Sequence, residues 1–245
     1  MGSNRYRILV VNDDGIQAEG IRRLAAAAAR LGEVVVAAPK NQCSAMSHRI
    51  TVFQPLEVKR VEFPVEGVTA FQVDGTPADC VKAALSGLMP ERPDFVFSGI
   101  NYGYNAGADI LYSGTVGAAM EGLLHGIPAI AFSSEKDGGY EITDQWLLPI
   151  AKELMEKDPG QGCIWNVNFP GGSPAQLKGI RRDVKPSAHP FYQDYYERTE
   201  EKAGCFYLNP AYVPITQAEP ESDIQAVLEH FIAVGAIRNT VLQEK

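Results

Sequence analysis

The chain has 245 residues, 45% hydrophobic and 21% charged, a composition that excludes a disordered, collagen-like or coiled-coil protein. Its formal net charge of −8 gives no long-range attraction for a nucleic-acid polymer or an anionic membrane, so a polyanionic ligand needs a local cation or a backbone cradle. No apolar stretch approaches the roughly 20 residues that span a bilayer, and the basic Arg5–Arg7 start meets Asp13 too soon for a secretory leader.

Arg7–Asn12 is a short apolar run bounded by Asp-Asp-Gly and reads as a buried parallel strand. Ile16 to Leu31 follows as a helix, with Ile21, Leu24, Ala28 and Leu31 on one face and Gly32 as its stop. Glu33–Ala38 is the next strand, cut by Pro39, which completes the strand–helix–strand opening of a doubly wound α/β sheet. Ile50–Val58, Arg60–Phe63 and Val68–Val73 read as a hairpin-like β insertion. Pro77–Leu88 is a helix with proline in its first turn, and Asp94–Ser98 a strand running into the glycine-rich stretch Gly99–Gly107. The remaining core elements are helix Thr115–His125, strand Pro128–Ser133, helix Glu141–Glu156 and strand Cys163–Phe169.

After Gly172 the texture changes. Phe191, Tyr192, Tyr195, Tyr196, Phe206, Tyr207 and Tyr212 lie among charges around a turn at Glu200–Gly204. This predicts an extended hairpin whose aromatics need a partner surface, either a neighbouring subunit or its own domain. Residues 1–172 therefore read as a Rossmann-like core, and 173–245 as a hairpin, arm and closing segment of the same domain.

Ligands of open α/β sheets collect at the C-terminal ends of the strands. Asn12-Asp13-Asp14-Gly15 stands at the first such end, where adjacent carboxylates repel unless a cation or hydrogen-bond donors neutralise them. Oxygen ligands of this kind suit Mg²⁺, Mn²⁺ or Ca²⁺. Taken alone, the four residues are equally a turn and a helix cap. Ser44 and Asn101, at two further strand ends, offer neutral oxygens, and Ser113-Gly114-Thr115 opens a helix whose N-terminus suits an anion. The plain alternatives are a loop hydroxyl, a turn-former and an N-cap. A metal shell facing an anion cradle implies phosphoryl chemistry. Cys43, Cys80, Cys163 and Cys205 show no C-x-x-C pair, and the isolated His48, His125, His189 and His230 no H-x-x-x-H, which argues against zinc and against a disulfide framework. Reduced thiols predict a cytoplasmic protein.

Asn12-Asp13-Asp14-Gly15, the Ala38-Pro39 loop with Ser44 and Ser47, Asp74 through Val81, Ser98 through Asn105, and Ser113 through Ala119 together resemble the SurE family in content and order. Asn166 through Pro170 and the segment around Ser222-Asp223-Ile224 resemble it more loosely. The resemblance implies a three-layer α/β/α Rossmann-like sandwich with a protruding β-hairpin and a C-terminal arm exchanged between subunits of a homodimer or homotetramer. It implies a metal-dependent 5′-nucleotidase, acting also on 3′-nucleotides and on short polyphosphate, with one Mg²⁺ or Mn²⁺ per subunit. Matched by position, Asp13, Asp14, Ser44 and Asn101 are the metal ligands; Asn105, Ser113, Gly114 and Thr115 line the phosphate pocket, with Ser47 and Asn12 nearby. Asp13, Asp14 and Asn101 carry the catalysis. Glu19, the Lys40–Cys43 loop and His48 depart from the family pattern.

Two rivals compete. An aspartyl-nucleophile phosphatase of haloacid dehalogenase type needs D-x-D-G-T, but Gln72 stands where the first aspartate belongs. A non-catalytic nucleotide-binding module lacks a fingerprint, since Gly15 to Gly20 is not G-x-G-x-x-G.

Overall fold

The structure is a computed structural model that describes residues 6–200 and 204–242. Among the described residues nine strands, numbered along the chain, form one sheet in the order Val58–Val61 (β3), Thr69–Val73 (β4), Gly32–Pro39 (β2), Tyr6–Val11 (β1), Phe95–Tyr102 (β5), Ala129–Ser134 (β6), Cys163–Phe169 (β7), Phe231–Arg238 (β11) and Gly179–Arg181 (β8). β1 (Tyr6–Val11) is an interior strand, flanked in parallel by β2 (Gly32–Pro39) and the central β5 (Phe95–Tyr102). β1 is buried on both faces, with Ile8, Leu9, Val10 and Val11 wholly inaccessible, as its unbroken apolar run requires. β6 (Ala129–Ser134) and β7 (Cys163–Phe169) extend the parallel array beyond β5.

Helices cover both faces. α1 (Glu19–Ala28) and α4 (Glu141–Met155) lie on one side, and α2 (Pro77–Ala83) and α3 (Gly114–Leu124) on the other, each layer over its own apolar cluster. The fold is thus the expected α/β/α sandwich. α1 starts later than its apolar spacing suggests, because Ile16 is tied by its N–H to the Pro39 carbonyl and Ala18 is extended. Gly20 lets α1 touch the sheet: a Cβ there would lie 2.0 Å from the Ile100 carbonyl oxygen.

The expected β insertion is smaller and belongs to the main sheet. β3 (Val58–Val61) pairs antiparallel with β4 (Thr69–Val73), and β4 runs parallel to β2. Residues 50–57 form no strand, since the Thr51 N–H and hydroxyl both bond to the Asp79 carboxylate instead of a neighbouring strand.

The C-terminal region divides. β9 (Tyr192–Glu200) and β10 (Phe206–Pro214) form a separate antiparallel hairpin whose Tyr196, Tyr207 and Leu208 are exposed; residues 201–203 of its expected turn lie outside the described residues. The chain then returns to the core. α5 (Asp223–Leu228) leads into β11 (Phe231–Arg238), which inserts between β7 and the short β8 (Gly179–Arg181), antiparallel to the first and parallel to the second. Among the described residues no helix is long and apolar enough to cross a membrane.

Candidate active site

β1 and β5 are neighbours whose following loops diverge, which opens a crevice at their C-terminal ends. Asn12 shapes the first of these loops. Its Nδ2 donates to the Gly15 carbonyl at 2.9 Å, and its Oδ1 accepts the Gly15 N–H at 3.2 Å. Gly15, at φ 99°, supplies the left-handed residue that this tight turn needs. The turn carries Asp13 and Asp14 beyond the strand end.

Asp13 is buried, at 3% exposure, against the start of α3. Thr115 donates its hydroxyl to Asp13 Oδ1 at 2.6 Å and its N–H to Oδ2 at 3.2 Å. Gly114 makes room for this contact, since a Cβ on it would lie 2.9 Å from the Asp13 Cβ. Burial pushes the Asp13 carboxyl up to about 6, against the Thr115 hydrogen bond and with help from the Asp14 charge. Asp14 is half-buried; it accepts the Tyr102 N–H at 3.0 Å and the Gln42 amide at 3.4 Å. Burial raises its carboxyl too, opposed by the Tyr102 N–H.

The loop after β2 is fastened at several points around these carboxylates. The Cys43 N–H donates to the Asp13 carbonyl at 2.7 Å, which sets Ser44 one residue from Asp13. The Ser47 N–H reaches the Tyr112 carbonyl at 2.9 Å and its hydroxyl the Leu111 carbonyl at 2.8 Å. His48 bonds through Nε2 to Oε2 of the buried Glu121 at 2.7 Å, and the Thr76 hydroxyl holds the Arg49 carbonyl at 2.5 Å. His125 and Lys82 also face Glu121, so one carboxylate on α3 gathers three basic side chains. The His48 hydrogen bond, ahead of the opposing burial, holds Glu121 below the usual carboxylate range.

Asn101 lies at the end of β5, beside Ser133 of β6, and its Nδ2 donates to the Gly103 carbonyl at 2.8 Å. That bond commits the donor side of the amide to the backbone and leaves the carbonyl oxygen for a ligand. Ser44 is exposed, and among the described residues its hydroxyl has no hydrogen-bond partner. Neither aspartate has an ion-pair partner among the described residues, and no group of three His, Cys, Asp or Glu side chains converges there. Two carboxylates with neutral oxygens fit a hard divalent cation that keeps several waters, and do not fit zinc.

The remaining expected residues take distinct places. Ser113 caps α3, its hydroxyl accepting the Val116 N–H at 3.0 Å. Asn105 is buried and held on several sides: its Nδ2 donates to the Ser133 hydroxyl at 2.8 Å, its N–H donates to Asn168, and its carbonyl accepts from Asn166 and Asn168. Sequence reasoning gave Asn166 and Asn168 no role, although two asparagines spaced by two on an apolar strand must share a face. Asp223 was also missed as a support. Its carboxylate accepts the N–H groups of Gly107, Ser187 and Ile224, tying the loop that carries Asn105 to α5. Asp74, the residue of the rival phosphatase motif, pairs with Lys40, and Thr76 caps α2.

A family model described as Survival protein SurE matches residues 8–190. The chain is 38% identical over 235 residues to a protein named 5′-nucleotidase SurE from Pelotomaculum thermopropionicum, covering 94% of this chain and 88% of that one. It is 41% identical over 238 residues to a 5′-nucleotidase SurE from Synechococcus, covering 94% and 91%. The crystal structure of the SurE protein from Aquifex aeolicus superposes with a TM-score of 0.80 at 33% identity, over 95% of this chain and 93% of that one. With the paired aspartates, the glycine-rich strand end and the Ser-Gly-Thr helix start at one edge of a matching sheet, this chain belongs to the SurE family.

Proposed function

We propose that the chain is a metal-dependent nucleotidase that removes phosphate from nucleoside 5′-monophosphates. The observation that carries this reading is the buried Asp13 carboxylate, set beside Asp14 with no basic partner among the described residues, at the strand ends where such folds bind ligands. Relatives of similar length carry the name 5′-nucleotidase. Asp13, Asp14, Ser44 and Asn101 would hold one Mg²⁺ or Mn²⁺ per subunit. Bound there, such an ion supplies charge neutralisation for a phosphate dianion and makes water acidic enough to attack near neutral pH.

The chain's own groups do the rest. Thr115 fixes the Asp13 carboxylate through two donors, and the Tyr102 N–H and Gln42 fix Asp14. Asn105, Ser113, Gly114 and Thr115 form the phosphate side, where the electropositive start of α3 favours an anion. Ser47 and Asn12 act indirectly by shaping the two loops. 3′-Monophosphates present the same dianion and fall within the reading, as does short polyphosphate. The exposed aromatics of the β9–β10 hairpin support a homodimer or homotetramer built through this arm, and the reduced thiols support a cytoplasmic setting.

Phosphate release from nucleoside 5′- and 3′-monophosphates and short polyphosphate, in EDTA or in Mg²⁺, Mn²⁺ or Zn²⁺, tests the proposal. Release that needs metal and disappears in Asp13→Asn is expected. Release in EDTA, or full turnover in Asp13→Asn, overturns it.

A further inference from the structure

Two tyrosines, Tyr102 and Tyr104, follow Asn101 closely, and the structure separates them. Tyr104 is buried at 5% exposure and packs edge-on against Phe191 with ring centroids 5.0 Å apart, so it belongs to the core. Tyr102 is 44% exposed. Its backbone N–H is bonded to Asp14 Oδ2 at 3.0 Å, and its hydroxyl is bonded to Asp137 in the loop after β6. The side chain is therefore anchored at both ends, one side-chain length from the acidic pair, with no other described ring stacked on it. Tyr140, close enough to Asp14 to feel its charge, has its ring covered by the Arg23 guanidinium at 4.6 Å. Tyr112, next to Ser113, is more exposed at 62%, but among the described residues no side-chain bond orients it.

We infer that the Tyr102 ring is the platform on which the nucleobase stacks, and that it sets the preference for nucleotides over simple sugar phosphates. This rests on the nucleotidase reading. Any base offers a π-face, so such a platform favours nucleosides as a class without choosing among bases. Because Asp137 fixes the ring beforehand, little freedom is lost when a base binds. A bare sugar phosphate would reach the carboxylates equally well and gain nothing from the ring.

The test compares AMP, CMP and ribose 5-phosphate, in Mn²⁺, for the parent protein and for Tyr102→Ala, Tyr102→Phe and Tyr112→Ala. Tyr102→Ala should reduce the ratio of kcat/KM for AMP over ribose 5-phosphate about tenfold, mainly through KM. Tyr102→Phe keeps the ring and should stay within about threefold of the parent. Equal losses on AMP and ribose 5-phosphate in Tyr102→Ala overturn the inference, as does a collapsed ratio in Tyr112→Ala alone. Equilibrium dialysis of AMP and ribose 5-phosphate separates the two levels. A parent protein that releases no phosphate, yet binds AMP in a Tyr102-dependent way, loses the nucleotidase reading and keeps the platform. Failure of the parent to bind AMP ends both.

Discussion

Asp13→Asn should make the metal-free protein more stable above neutral pH while abolishing the proposed phosphate release. Burial moves the Asp13 carboxyl from the ordinary 3.8 to about 6 in the folded protein. At 1.36 kcal/mol per pH unit, ionising it in the fold costs about 3 kcal/mol relative to the unfolded chain. The sign is the reverse of the usual carboxylate case. Between the two values the folded state binds more protons, so stability falls as pH rises from 3.8 and the full loss is reached above about 6. Asparagine removes that loss but turns an amide N–H toward the Thr115 N–H, which forfeits a hydrogen bond worth about 1 kcal/mol. The net gain at about pH 8 is then about 1–2 kcal/mol, or about 2–8 °C in Tm for a chain of this size. Urea unfolding in EDTA at about pH 5 and pH 8 measures it, with the gain shrinking at the lower pH. A variant equally stable or less stable than the parent at the higher pH would refute the reasoning.

Thr115→Val removes the hydroxyl on Asp13 Oδ1 and should lower metal affinity or turnover about 10–100-fold, read from rates across a metal titration. Gly114→Ala forces a Cβ to within 2.9 Å of the Asp13 Cβ and should cost about 1–3 kcal/mol in urea unfolding along with activity. Glu121→Ala leaves His48, His125 and Lys82 without their shared carboxylate and should lower stability by about 1–3 kcal/mol. Because the folded protein holds Glu121 below its ordinary 4.5, its contribution is present above that value and lost as pH falls further. The difference between parent and Glu121→Ala in urea midpoint should therefore narrow in acid.

Strong periodicity made most of the sandwich legible. Cys163–Phe169 has the same bounds as read from the sequence, and β1, β2, β6, α3 and α4 shift by a residue or so at their ends. β11 escaped because its boundary with α5 carries no glycine or proline; His230 turns the chain there at φ 59°. The end of β5 read as a glycine-rich loop, yet Asn101 and Tyr102 pair with Ser133 and Ser134. At the site, the two carboxylates were visible as a strand-end motif and the start of α3 as an anion site. What no spacing reveals is that the carboxylate bonded to Thr115, 102 positions away, is Asp13 itself. Contacts of that range depend on the packing of α3 against β5 and β6 beside the turn after β1, which tertiary structure alone decides.

The insertion of β11 has a consequence for synthesis. When β7 has left the ribosome, both aspartates, Ser44, Asn101 and the start of α3 already exist in the nascent chain. Asp223, which holds Gly107, and β11, which separates β7 from β8, have yet to be made. The Gly107 N–H therefore has no acceptor until Asp223 arrives, although Ala108 and Asp109 of the same loop can already bond to residues 189–192. A chain interrupted before Asp223 would carry the acidic pair with the Gly107 and Ser187 N–H groups and the β11-facing edge of β7 still unpaired.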